Sequence, residues 1–121
     1  MRYVDGYVLA VPKKKLGAYR RLAKLGAKVW KKYGALEYVE AVGDDLNPKW
    51  ASLKFPRLVK CKPGETVVFA FIVYSSRAHR DHVNARVMKD PLMPEAMKDT
   101  PMPFDMKRMA YGGFKVLVAR P

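Results

Sequence analysis

Cysteine is all but absent from this chain. Cys61 stands alone, so no internal disulfide can staple the fold, and stability has to come from a packed core. Histidine is nearly as scarce, with two residues, too few to anchor a metal site without help from other ligand types. No stretch approaches the roughly 20 consecutive apolar residues of a membrane-spanning helix. The opening Met1-Arg2-Tyr3-Val4-Asp5 runs straight into a strand-like pattern, without the apolar run and small-residue cleavage site of a secretory signal. These absences predict a cytoplasmic protein with no membrane association. Internal repeats and low-complexity linkers are missing too, and 121 residues, half of them hydrophobic, suit one globular domain over 1–121.

Acidic residues are missing from one segment in particular. Between Lys13 and Lys32 there are nine basic side chains and no acidic one, while the other residues carry fifteen basic against eleven acidic. Most of the net charge of +13 therefore belongs to one stretch. A stripe of this kind serves either as a solvated helix face or as an attractor of polyanions, with Lys24, Lys28 and Lys31 as contacts.

What is present follows two periods. Residues 2–11 are rich in Tyr, Val and Leu and stop at Pro12, which predicts a first strand. In 13–33, Leu16, Tyr19, Ala23, Gly26, Trp30 and Tyr33 recur at spacings of three and four, as one apolar helix stripe does. Gly26 lies on that stripe, where a missing side chain lets the helix approach the sheet, and Gly34 suits the position that ends a helix. Residues 35–43 predict a second strand. The Pro-bearing segment 45–65 is too long for a hairpin turn and is expected to fold over the sheet edge, with extended structure near Leu58 to Lys60. Residues 66–74 form the clearest strand, Ser75-Ser76 an N-cap, and the following residues a second helix to about Lys89. Four prolines make 91–108 a covering loop with one short turn from Pro94, and 109–119 are a last strand.

The order βαββαβ is the split βαβ arrangement of ferredoxin-like α+β domains: a four-stranded antiparallel sheet with two helices on one face. The other face of such a sheet is normally wet, so its strands should alternate apolar and polar. They do not. Val67, Phe69, Phe71 and Val73 point one way and Val68, Ala70, Ile72 and Tyr74 the other. A second copy of the sheet is the simplest cover, which predicts an isologous homodimer.

The segments YVDGYVLAVP, GALEYVEAVGDD, FPR, ETVVFAFIVYSSRAHRD, VNARVMKDP, MPFDMKRM and YGGFKVLV resemble the YbaA-like family of bacterial proteins, nearly end to end. That family is a domain of unknown function in the dimeric α+β barrel superfamily. The resemblance implies a ferredoxin-like subunit and a barrel-forming dimer. The wider superfamily includes cofactor-free monooxygenases, haem-degrading enzymes, decarboxylase-like proteins and chlorite-dismutating haem proteins, so function must be argued from the site.

Candidate site residues come from two places. In Ser75-Ser76-Arg77-Ala78-His79-Arg80-Asp81-His82, Arg77, His79 and Arg80 put positive charge where a helix N-terminus favours negative charge. Either carboxylates pair with them (Asp81, Glu37 or Glu40) or an anionic ligand sits there. His79, one turn before Val83, is expected to face the sheet, either as a structural group or as part of a pocket. Asp5, Glu37 and Glu40 lie in otherwise apolar strands, where a carboxylate is either paired, with Arg57, Arg77 or Arg108, or poised as an acid or base. His79, Glu37 and Asp5 are thus the catalytic candidates, and Arg77, His79, Arg80, Glu40 and Tyr111 the ligand contacts. His79 and His82 share a helix face but have no evident third ligand, so neither a metal nor any other cofactor is expected. Met88, Met93, Met97, Met102, Met106 and Met109 cluster around the Pro-rich loop, as gap fillers or as a lid.

Phe69-Ala70-Phe71 echoes part of the third-strand consensus of RNA-recognition motifs. Val67-Val68 replace its basic residue and glycine, and the basic helix lies opposite the RNA-binding face of that module, so specific nucleic-acid binding is not expected. The leading expectation is a homodimer that binds a small, partly apolar, anionic molecule between sheet and helices. Cofactor-free oxidation or isomerisation is the chemistry suggested by analogy. The alternative is polyanion binding through the 13–32 helix.

Overall fold

A computed structural model describes residues 1–121. Strand β1 (Tyr3–Pro12) leads through a 3-10 turn into helix α1 (Leu16–Lys32), followed by β2 (Glu37–Val42). A one-turn helix α2 (Phe55–Leu58), strand β3 (Glu65–Tyr74), helix α3 (Arg77–Lys89), a short helix α4 (Leu92–Met97) and strand β4 (Ala110–Lys115) complete the chain. The sheet order is β2-β3-β1-β4 with every pair antiparallel. The long apolar strands β1 and β3 take the centre, where both edges are paired, and the shorter β2 and β4 the rims. This is the ferredoxin-like βαββαβ fold.

Turn chemistry explains where the elements stop. Gly34 has φ of 110°, a left-handed conformation that ends α1 at little cost only for glycine. Ser76 caps α3, its Oγ accepting from the His79 N–H at 3.0 Å. Three expectations need correcting. Residues near Leu58 are helical rather than extended, because Pro56 sits in the first turn of α2, where its locked φ is pre-set for a helix and its missing N–H is not needed. Helix α4 begins at Leu92, not Pro94, because Asp90 Oδ1 accepts from the Leu92 N–H at 2.8 Å. The last strand ends at Lys115, because its only neighbour, β1, begins opposite it at Tyr3.

The sheet is apolar on both faces, as its pattern predicts. Leu9, Val11, Val68, Ile72 and Tyr74 are buried with Tyr19 and Val29 of α1 and Val83 and Val87 of α3. On the opposite face the segment before β3 covers one end: Val59 is buried against Val8, Ala10 and Val67. The other end stays open. Phe69 is 44% and Phe114 61% exposed, and the Phe114 ring lies over the Gly6–Gly112 pair, a Cβ at either glycine coming within 3.5–3.6 Å of it.

Candidate functional site

Register builds the site. On the helix-covered face, Glu40, Ala70, Tyr7 and Tyr111 form one row across β2, β3, β1 and β4. Ala70 is the small member of that row, and the space above it is not filled. Helix α1 spans the gap with Tyr19, Leu22, Ala23 and Trp30, while Met93 and Phe104 come from the Pro-rich segment beyond α3. The result is a cavity of about 150 Å³, in which every lining side chain except Glu40 is hydrophobic or aromatic. A cavity of about this size holds a benzene-sized guest.

Two phenols, Tyr19 buried and Tyr38 partly buried, hold the Glu40 carboxylate. The Tyr19 hydroxyl donates to Oε1, and the Tyr38 hydroxyl donates to Oε2 at 2.7 Å. Burial, reinforced by the neighbouring carboxylate, pushes both hydroxyls well above the ordinary tyrosine range, so they remain donors. Gly26 makes the second bond possible: a Cβ there would lie 2.7 Å from the Tyr38 hydroxyl oxygen. No Lys, Arg or His lines the cavity, and Glu40 takes part in none of the ion pairs.

A second polar centre sits beside the first, under α3. Asp5 is fully buried in the row next to Tyr7. The Arg80 Nε lies 3.3 Å from its Oδ1, and Arg80 Nη2 donates to the Tyr3 hydroxyl at 3.0 Å. The Asp5 oxygens and Arg80 Nε form no hydrogen bond of good geometry. Burial raises the Asp5 carboxyl above its ordinary value, and Arg80, Tyr111 and Asn84 only partly oppose that. Asn84 ties this centre to the cavity wall by accepting from Trp30 Nε1 at 3.1 Å and the Tyr74 hydroxyl at 3.2 Å.

The predicted residues thus separate. Glu40 lines the cavity, and Asp5, Arg80 and Tyr111 form the adjoining centre. His79 stands at the start of α3, where its Nδ1 accepts from the Ser75 N–H at 2.9 Å and its ring meets Tyr74 edge-on. Glu37 and Arg77 are exposed at the sheet rim and helix end. The expected ion pairs also differ. Arg80 uses Asp5 and Asp81, Arg108 uses Glu65 and Asp105, and Glu37 and Glu40 pair with neither Arg57, Arg77 nor Arg108. Glu40 faces the inward stripe of α1, which carries Tyr19, while Arg20 and the other cations of that helix lie on its outer face, so tyrosines serve it instead. Of the loop methionines, Met93 and Met109 reach the cavity, whereas Met88 is 75% exposed. Residue-by-residue reading missed Tyr7, Tyr19, Trp30 and Tyr38 as site groups. The available signal was Tyr38-Val39-Glu40, which puts a phenol and a carboxylate two residues apart on one strand face. No three His, Cys, Asp or Glu side chains come together anywhere.

The family model described as "Protein of unknown function (DUF1428)" matches residues 2–106. The chain belongs to the DUF1428 family. Within it, the protein YbaA of Escherichia coli K12 is 44% identical over 118 residues, 98% of each chain. Among solved structures, a NIPSNAP family protein from Agrobacterium tumefaciens superposes with a TM-score of 0.62 at 13% identity, over 95% of this chain and 87% of that one. SnoaB from Streptomyces nogalater, a cofactor-independent oxygenase, gives 0.55 at 11% identity, over 99% and 97%. A dimeric ferredoxin-like protein from an uncultured marine organism gives 0.54 at 11% identity, over 99% and 100%. At these identities the likeness is one of fold. The DUF1428 segment includes every cavity residue except Met109, and no helix of the chain is long and apolar enough to cross a membrane.

Proposed function

We propose that this protein binds a small, largely apolar molecule in the cavity between α1 and the sheet, anchored by Glu40, and that it does so as a homodimer. The supporting observation is a lone carboxylate in an otherwise apolar enclosure, the arrangement of an orienting group in a ligand pocket. The Tyr19 and Tyr38 phenols aim Glu40 and leave lone pairs free for a ligand's donor or acidic proton. If chemistry follows binding, Glu40 is the group placed to take that proton. The likeness to a cofactor-independent oxygenase makes cofactor-free oxidation or isomerisation the reaction class to try first. Asp5, Arg80 and Tyr111 would then tune the wall behind Tyr7, and His79 would hold the start of α3.

The dimer is supported by the open end of the helix-free face. Phe69 and Phe114, with Phe55 beside Phe69, form an apolar surface that a second copy would bury face to face, and one structural neighbour is itself a dimeric ferredoxin-like protein. Native mass spectrometry tests both halves at once. The expected result is a species of twice 13.8 kDa retaining a small organic molecule. A single-subunit mass across micromolar concentrations would remove the dimer, and a ligand-free spectrum with no hit in a metabolite thermal-shift screen would remove the pocket.

One observation favours a second reading. Arg20, Arg21, Lys24, Lys28, Lys31 and Lys32 fall within about 120° of one another around α1 and span about 18 Å of its outer face. Arg20, Arg21, Lys24 and Lys28 take part in no ion pair, so like charges at i, i+4 repel without relief. This face fits the phosphates of a nucleic-acid duplex. In a gel shift at low salt, replacing Lys24, Lys28 and Lys31 by Gln is expected to weaken duplex binding at least about tenfold. Unchanged binding would leave this face a solvated surface.

A further inference from the structure

Resting on the cavity reading above, we infer that the group taken up beside Glu40 is a small organic cation, a quaternary ammonium or protonated amine, held in an aromatic cage. Five rings line the space: Tyr7, Tyr19, Trp30, Tyr38 and Phe104. They pack in tilted and edge-on pairs, with Trp30 and Tyr38 centroids 6.0 Å apart and Tyr19 and Phe104 centroids 5.7 Å apart. Aromatic faces carry negative potential and attract a cation within about 6 Å.

The decisive feature is the charge inventory of the enclosure. Glu40 is the one acid there, and the cavity lining offers no base to balance it. Its protein partners are two neutral phenols. Asp5, Glu65, Asp81, Asp90 and Asp105 each meet an Arg or Lys. A half-buried carboxylate without a counter-charge costs free energy that a bound cation would recover, and a neutral guest would not. Size agrees, because a trimethylammonium head is no larger than the benzene-sized guest that about 150 Å³ admits.

The net charge of +13 opposes entry of a cation, but it acts mainly from outside. The cations of α1 lie on the face opposite Tyr19, Gly26 and Val29, which point inward. Surface charges are also screened over about 8 Å at physiological ionic strength. The cage therefore sets selectivity at short range against a modest long-range barrier.

Choline and 3,3-dimethylbutan-1-ol test this, because they share a shape and differ in charge. Trp50 is 88% exposed, so Trp50→Phe leaves Trp30, in the cavity wall, as the sole indole reporter. In titrations followed by Trp30 fluorescence and calorimetry, choline is expected to bind at least about tenfold tighter than the alcohol. Glu40→Gln should abolish that preference by lowering affinity for choline far more than for the alcohol. Equal binding of both by the wild-type chain would overturn the cation inference and leave the cavity standing. Binding of neither, with tetramethylammonium and phenethylammonium also inert, would overturn the cation inference and the pocket together.

Discussion

Replacing Arg80 by Met is expected to destabilise the fold by about 3 kcal/mol at pH 8, and by clearly less at pH 5. Asp5 is fully buried, and its carboxylate faces a single guanidinium, so removing Arg80 leaves a charge in the interior without a partner. The low end of the range for broken buried pairs applies for two reasons. Arg80 keeps 18% of its side chain in water, and Asp5 can escape the penalty by taking a proton. That escape sets the pH dependence. Burial already raises Asp5 above its usual 3.8 in the native state, so the native chain binds more protons than the unfolded one in the window above that value. The stability contributed by that extra proton is present at low pH and is lost as pH rises through the native value. Loss of Arg80, which opposes the shift, moves the native value higher still and widens the window. Glu65 and Asp90 do not confuse the reading. The Arg108 hydrogen bonds hold Glu65 down to about 2, and the Tyr33 hydrogen bond holds Asp90 down to about 2. Both are depressed, so their stabilisation is complete above the ordinary carboxylate range, is lost progressively as pH falls from that range to about 2, and is flat between pH 5 and 8. Urea unfolding of wild type and variant at the two pH values measures the difference. Arg80→Met combined with Asp5→Asn should recover most of the loss, because the buried charge is gone. Equal deficits at pH 5 and pH 8 would show that Asp5 does not take up the proton.

The second large effect falls on binding rather than folding. Ala70→Leu is expected to lower affinity for any guest of the cavity by about 10–100-fold. Ala70 stands between Glu40 and Tyr7 in one row of the sheet, and its lack of a longer side chain is what leaves the space open. A leucine there occupies the volume that the guest needs. The fold should tolerate it, since strain from the extra methylenes is offset by filling a void, and a net loss of no more than about 1–3 kcal/mol follows. Trp30 fluorescence titration and thermal unfolding of the same variant separate the two effects. A variant that still bound tightly would place the guest elsewhere. A variant that failed to fold would show the space to be closed in solution.

The βαββαβ order, the strand at 66–74, the Ser76 cap and the Gly34 stop were all legible, because each depends on local periodicity or on the backbone freedom of one residue. The apolar character of both sheet faces was legible for the same reason. Less could be read wherever an element is short. A Pro in the first turn made a helix that ends at Leu58, where extended structure was expected near Leu58 to Lys60, and β4 stopped where its neighbour ran out.

By itself, then, the sequence determined that both faces of the sheet would be apolar, in what order the strands and helices would follow, and that a carboxylate would lie on an apolar strand. Only the tertiary structure decided what that carboxylate meets. Register set Ala70 beside Glu40, and the closeness of α1 over Gly26 brought in Tyr19 and Tyr38. The reason is physical. Periodicity specifies the face on which a side chain lies, whereas its distant partners, 21 residues away for Tyr19 of α1 and Glu40 of β2, follow from strand register and helix packing that no local pattern encodes.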